Sequence, residues 1–324
     1  MKKKWLFTAL LVPLLVFALS RLDAQSLLHS IRQIPLWLAA LLIGLQIVSQ
    51  LLVNLQWHQI AKFTDADVSF GNMLYINCQG AMMDSITPGV KVGGEVTRAV
   101  QISRRGNCSG EQAVAVVALQ KLFSLSAFFF INLFTVGYLI GRVPLLQIRY
   151  MQFFVYGILL FFLLLFVGVF LAPRRIKVYL QARKNSRFSW VRRVRGFLLT
   201  LLDQVVSIRG NTKAWVMLSL LSFFIWLLYP VKMYLLAIQF FPDAHTVYIG
   251  AVTFASYMVA MIPIFPGGLG GFEGTMSGLL LTMGFEMSDA VVVTVLFRFV
   301  TFWFVMLFSL GFIGWCKVMK GFAK

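Results

Sequence analysis

The chain has 324 residues, of which 60% are hydrophobic and 12% charged, and its mean hydropathy is +0.84. A soluble domain carries about 25% charged residues, so this composition excludes a fold that covers itself in water. The net charge of +18 raises nucleic acid as a partner, but the basic residues cluster beside apolar runs, where they act as topology signals and attract anionic headgroups.

Lys2, Lys3 and Lys4 precede an apolar run from Trp5 to Ser20. It resembles a signal peptide, but Ser20-Arg21-Leu22-Asp23-Ala24 lacks a small-x-small cleavage site, and the run is read as an uncleaved first helix. The N-terminus is placed in the cytoplasm. A second span at 36–55 returns to that side. The stretch 70–98 is only moderately apolar and contains Asn72, Asn77, Asp84, Pro88 and four glycines after position 79. A hairpin that dips in and returns keeps Arg98, Arg104 and Arg105 inside, as the positive-inside rule prefers. Spans at 112–140 and 151–172 then go out and back. They place the loop 173–195, with nine Lys or Arg residues and no acid, in the cytoplasm.

The second half repeats this upside down. A span at 215–240 goes out to Pro242, Asp243 and His245. The stretch 247–284, interrupted at Pro263 and by Pro266-Gly267-Gly268-Leu269-Gly270-Gly271, is read as a hairpin entering from outside. A last span at 291–315 leaves Lys317, Lys320 and Lys324 in the cytoplasm. The continuous apolar runs exclude an alternating β-barrel pattern. The expected fold is an all-α polytopic membrane protein: one transmembrane domain over 1–324, about six spanning helices, and two opposed re-entrant helical hairpins in an inverted-topology repeat. Two full crossings at either hairpin are the competing topology.

The repeat rests on ordered matches. Pro88, Gly89 and Glu95 recur 178 residues later as Pro266, Gly267 and Glu273; Ala113 and Lys121 recur 177 later as Ala290 and Arg298. Repeat 1 is 36–140 with hairpin 70–98; repeat 2 is 213–315 with hairpin 247–284. Inverted repeats with Gly/Pro-broken segments in matching positions point to a transporter's central site, because non-helical backbone at membrane depth is tolerated only against protein or water. The expected breaks are Pro88, Gly89, Gly93, Gly94, Pro266, Gly267, Gly268, Gly270 and Gly271. Any single one of these glycines is read equally well as a packing device.

The carboxylates carry the chemistry. An acid near the bilayer centre costs roughly 2.5–3.5 kcal/mol on insertion scales, so Glu95 and Glu273 need a partner or a task. Arg98, Lys121 and Arg298 are the available counter-charges; Asp84 and Lys91 complete the candidate substrate-binding set. Static ion pairing and a headgroup- or proton-binding site both remain open. Cys78, Cys108 and Cys316 are scattered, and His29, His58 and His245 cluster with nothing, so no metal or other cofactor is expected. The Gly-x-x-x-x-Gly-Lys-Ser/Thr phosphate loop is missing, so ATP is not the expected drive.

Three blocks of residues resemble the flippase-like family defined by the membrane region of lysylphosphatidylglycerol synthase. They are Thr87-Pro88-Gly89-Val90-Lys91-Val92-Gly93-Gly94-Glu95-Val96-Thr97-Arg98; Pro263-Ile264-Phe265-Pro266-Gly267-Gly268-Leu269-Gly270-Gly271-Phe272-Glu273-Gly274; and Ala290 followed by Arg298, Thr301 and Trp303. The chain departs from the family's Glu-Arg-x-x-Asp at Gln120-Lys121-Leu122-Phe123-Ser124, and from its Arg-Trp at Gln56-Trp57. The likeness extends to the membrane part alone, with no aminoacyl-transfer domain. It implies movement of a lipid with a substituted or charged headgroup between leaflets; the charge pattern gives the expected location, a multi-pass plasma membrane protein, in the bacterial inner membrane, with both termini cytoplasmic. The expected partner is an anionic or aminoacylated phospholipid or a polyprenyl phosphate derivative, and nucleic acid is not expected. A transporter rather than an enzyme is the leading reading. The rivals are a membrane-embedded transferase on lipid-linked sugars, with Glu111, Asp203 or Asp289 available, and a non-catalytic partner of a membrane glycosyltransferase or synthase docking through 173–195.

Overall fold

A computed structural model of the chain describes residue 32 and residues 34–87, 92–182, 189–262 and 268–322. The expected first helix at 5–20 lies outside the described residues, as do Pro88, Gly89, Lys91, Pro263, Pro266, Gly267 and Lys324. Helix α1 (Leu36–Phe63) leads to the packed pair α2 (Phe70–Ile86) and α3 (Val92–Arg105), then to α4 (Gly110–Leu139). A one-turn α5 (Pro144–Gln147) precedes α6 (Arg149–Leu171), followed by α7 (Pro173–Ala182) and α8 (Ser189–Gly210). Next come α9 (Thr212–Ala237), the second packed pair α10 (Thr246–Ala260) and α11 (Gly271–Leu281), and α12 (Met287–Arg298). The last continues through a π-helical turn at Phe299–Trp303 into α13 (Phe304–Phe322). Among the described residues, five stretches are long and apolar enough to cross a bilayer: α1, α4, α6, α9 and Met287–Met319. No strand occurs among the described residues, and the protein is a polytopic helical membrane protein.

Local chemistry sets the helix ends. The Ser69 hydroxyl accepts the Asn72 N–H at the start of α2, and Asn211 accepts the Ala214 N–H at the start of α9. Ser109 and Gln112 form a reciprocal capping box on α4, each side chain taking the other's backbone N–H, which satisfies two otherwise orphaned groups. After α1 and α3 the chain turns through Asp65 (φ 55°) and Asn107 (φ 47°), residue types that tolerate the left-handed region.

Several expected boundaries move. The span read as 36–55 continues to Phe63, and the stretch read as the first hairpin, 70–98, continues in α3 to Arg105. The segment read as the loop 173–195 contains α7 and the first turns of α8. Arg and Lys are good helix formers, and a run of basic charge is compatible with a helix on a membrane surface. Lys177 of α7 pairs with Asp203 of α8, tying the two together.

Contacts fix the directions of the helices. In the first pair, Gly80 meets Arg98, Asp84 meets Gly94 and Thr87 meets Gly93, so α2 and α3 are antiparallel. In the second, Ala260 meets Gly268 and Tyr248 meets Thr282, so α10 and α11 are too. Between α1 and α9, Lys232 reaches Gln46 and Gln56 reaches Ser222. Rising numbers on one helix meet falling numbers on the other, so α1 and α9 are antiparallel. Outside these pairs, α4 packs on α10 and α13 packs on α2, while α3 lies on α4 and α11 on α12. One core gathers Leu38, Met233, Ile249, Phe272 and Phe297; the other gathers Trp57, Ile60, Ile102, Leu119 and Leu218. Helix α6 buries only Leu159 and is the least buried of the five candidate spans.

Candidate functional site

The first helix pair is built around close approach at glycine. A Cβ on Gly80 would strike the Arg98 guanidinium, and one on Gly94 would strike the Asp84 carboxylate and the Gly80 carbonyl oxygen. With glycine there, Asp84 Oδ1 accepts the Gly94 N–H at 3.1 Å and Asp84 Oδ2 accepts from Arg98 Nη1 at 3.0 Å. A carboxylate on the first turn of a helix is favoured by that helix's orphan N–H groups and dipole. Asp84 therefore clamps the start of α3 onto α2. The Arg98 guanidinium also lies 5.5 Å from the Trp57 ring centroid. Arg98 is thus the partner of Asp84, not of Glu95, and both side chains of the pair are nearly buried (11% and 12% exposed).

Glu95, in the first turn of α3, pairs instead with Lys121 of α4 at 2.9 Å. In the second pair, Glu273 occupies the first turn of α11. Its Oε2 accepts the Gly270 N–H at 2.6 Å, and its Oε1 lies 2.9 Å from Nε of Arg298 on α12. Gly268 (φ 72°) and Gly270 (φ 86°) hold left-handed backbone just before this helix. At Gly268 a Cβ would also press Ala260 at the end of α10, so glycine is required there twice over. Gly271 is the first residue of α11. Arg298 lies between aromatic faces, 4.8 Å from Phe272 and 4.4 Å from Phe302, and Phe302 belongs to the π-helical turn. Such turns recur at functional sites.

The two halves thus carry equivalent ion pairs. Each joins the first turn of a pair's second helix to a basic residue on the helix that follows it. Both acids keep access to their surroundings, 27% exposed for Glu95 and 26% for Glu273. The Asp84–Arg98 pair has no mate, since the residues 178 further on are Ile262 and Met276.

A third polar cluster was not singled out from the sequence. Lys232 of α9 is fully buried (0% exposed). Its ammonium donates to Gln46 Oε1 and Ser49 Oγ of α1 and lies 4.5 Å from the Tyr229 ring. Gln46 Nε2 is buried without a partner. Across the same helix crossing, Gln56 donates to Ser222 Oγ at 2.5 Å and accepts from Gln120 Nε2 at 3.1 Å. Ser222 and Lys232 each come 176 residues after Gln46 and Gln56, so the two clusters are equivalent in position and different in charge. A lysine within an otherwise apolar span, two residues after Pro230, was the signal available in the sequence.

Among the described residues, five apolar spans packed with shorter antiparallel helix pairs, each pair carrying an ion-paired carboxylate in the first turn of its second helix, define a multi-pass membrane protein with polar side chains among its helices. The chain belongs to the family of the lysylphosphatidylglycerol synthase TM region, whose model matches residues 5–309. It is 26% identical over 274 residues to a UPF0104 membrane protein of Methanothermobacter thermautotrophicus, covering 81% of this chain and 80% of that one. A UPF0104 membrane protein of Methanocaldococcus jannaschii is 22% identical over 267 residues, 80% of this chain and 78% of its own. One from Pyrococcus horikoshii is 24% identical over 279 residues, 79% of this chain and 80% of its own.

Proposed function

We propose that the protein is a lipid translocase, a transporter rather than an enzyme. It moves a lipid with a charged headgroup between leaflets by alternating access around two opposed re-entrant hairpins, α2–α3 and α10–α11. The observation that carries this reading is the pair of equivalent ion pairs, Glu95–Lys121 and Glu273–Arg298, in each of which the carboxylate is about a quarter exposed. In each, the carboxylate suits a cationic headgroup group or a proton and the basic residue suits a phosphate. Separating either pair exposes both functions to a headgroup at once.

The fold gives support. The arms α2, α3, α10 and α11 have 17, 14, 15 and 11 residues, short of the roughly 20 a span needs, which favours re-entry over full crossing. The antiparallel α1 and α9, and the matching contacts of α4 on α10 and α13 on α2, favour an inverted repeat. An apolar groove of about 940 Å³ between α1 and α9, lined by Leu55, Val216, Leu220, Phe224 and Leu227, suits an acyl chain travelling beside a headgroup. In this reading the protein lies in the plasma membrane with both termini cytoplasmic, and the basic α7 faces anionic lipid. The membrane potential, about 2.3 kcal/mol per charge per 100 mV, is a sufficient drive for a charged cargo.

The test is reconstitution into vesicles with fluorescent phosphatidylglycerol, aminoacylated phosphatidylglycerol or polyprenyl phosphate in one leaflet. The expected result is exposure of at least one probe faster than in empty vesicles, lost in Glu95→Gln with Glu273→Gln. No acceleration with any probe, or equal rates in the double variant, sinks the reading.

A further inference from the structure

We infer that Lys232, with the Gln46 amide and the Ser49 hydroxyl, is a station for the phosphate of the lipid headgroup at the crossing of the two repeats; this inference rests on the translocase reading. The cluster is rich in donors and short of acceptors. Gln46 Oε1 and Ser49 Oγ accept from the ammonium, while the Ser49 hydroxyl donates to the Leu45 carbonyl oxygen at 2.9 Å. The Gln46 NH2 group beside it has no acceptor. Among the described residues no carboxylate pairs with Lys232. An anionic acceptor such as a phosphate oxygen is what this set lacks: it would take one N–H from the ammonium and one from the amide.

Energetics favour a visitor over a structural role. A buried charge with no opposite charge is destabilising, and an apolar residue of the same size there is neutral or better. Ion pairing explains Arg98 and Arg298; nothing comparable explains Lys232. Its place is also suggestive. It lies where α1 and α9 cross, and an unbroken row of aromatic rings joins it to the second hairpin. Tyr229 packs on Tyr257 with centroids 5.0 Å apart, Tyr257 packs on Phe272 at 4.9 Å, and Arg298 lies over Phe272. A phosphate released from Arg298 meets Lys232 as the next cation along that wall. The equivalent position in the first half is Gln56, already satisfied by Ser222 and Gln120, so the station exists in one half only.

The test is equilibrium binding to the purified full chain in detergent, with three probes: dioctanoyl phosphatidylglycerol, dioctanoylglycerol and inorganic phosphate. The wild type should bind phosphatidylglycerol and discriminate against dioctanoylglycerol. Lys232→Met should bind phosphatidylglycerol about tenfold more weakly, as loss of a charge-assisted hydrogen bond implies, while melting no lower than the wild type. Lys232→Arg should retain binding. Unchanged binding in Lys232→Met overturns the inference. So does a lower melting temperature in that variant, because it marks a structural lysine. Inorganic phosphate binding as tightly as the lipid overturns the lipid headgroup as the source. Translocation that fails while these binding differences hold sinks the translocase reading alone; translocation that persists without them sinks the station alone.

Discussion

Asp84 and Glu95 are both acids of the first helix pair, both paired with a cation, and they answer to different physics. Asp84 is nearly buried, accepts a helix-start N–H and shares its charge with an equally buried Arg98. Removing its charge strands the arginine. Breaking such a pair by losing one partner costs roughly 3–5 kcal/mol, so Asp84→Asn should lower thermal stability strongly, read as a fall in melting temperature in detergent. The Glu95–Lys121 pair is more than a quarter exposed, in the range where ion pairs contribute about 0–1 kcal/mol. Glu95→Gln should therefore melt close to the wild type and show its effect in transport. If the two variants melt alike, the division between clamp and site is wrong. The glycines divide in the same way. Gly94→Ala drives a methyl into a carboxylate and a backbone carbonyl and should cost about 1–3 kcal/mol. Gly274 in α11 has open space around it, so Gly274→Ala should be neutral or stabilising by roughly 0.5–1 kcal/mol. Melting both variants side by side checks the pair.

Helix existence was legible because hydropathy is a local property: five spans among the described residues follow directly from apolar runs, with starts shifted by capping residues such as Ser109 and Asn211. Of the glycine breaks expected from spacing, Gly268 and Gly270 fall at the turn before α11, whereas Gly93 and Gly94 lie inside α3; Glu95 and Glu273 each stand in a helix's first turn. What the sequence could not show is which elements meet. Arg98 stands three residues after Glu95, a spacing that brings side chains together on one helix face. The bare surface of Gly80 instead lets Arg98 reach across to Asp84 on the other arm. Likewise, nothing local says that α13 returns to pack on α2. That contact places Ser309 within hydrogen-bonding reach of the Cys78 thiol, which gives a direct test. In a Cys108→Ser, Cys316→Ser background, Ser309→Cys should form a disulfide with Cys78 on mild oxidation, detected by mass spectrometry of the digested chain. A control cysteine at Leu310, on the exposed side of α13, should not cross-link. Cross-linking at Leu310 rather than Ser309 would mean that α13 presents another face, and that the π-helical turn before it sets a different register.

At the scale of the whole molecule, the inverted repeat we propose makes the two halves equivalent in layout but not in charge. Helices α1 and α9 cross antiparallel through two polar contacts, Gln46 with Lys232 and Gln56 with Ser222, and exchanging the halves maps each contact onto the other. In a perfectly symmetric translocase the two end states have equal affinity for a cargo, and direction comes only from gradients. In the proposed translocase, a lysine in place of a glutamine-like position would break that degeneracy: the state that exposes the second half would hold an anion more tightly. A ligand shifts a two-state equilibrium only through its differential affinity for the two states, so Lys232 supplies such a difference and Gln56 does not. The double substitution Gln56→Lys with Lys232→Gln moves the cation to the other half without changing composition. Its new ammonium would face Ser222 and Gln120, which offer acceptors as Ser49 and Gln46 do. The expected outcome is a protein that still binds dioctanoyl phosphatidylglycerol but reverses its leaflet preference. The measurement is the ratio of inward to outward probe movement in oriented vesicles with no membrane potential and lipid supplied to one leaflet at a time. At equal lipid on both sides that ratio must return to one for either protein, as equilibrium demands; the reversal is sought in initial rates under sub-saturating lipid, where the tighter half fills first. A ratio unchanged by the swap would show that the charge asymmetry between the halves has no part in the direction of entry.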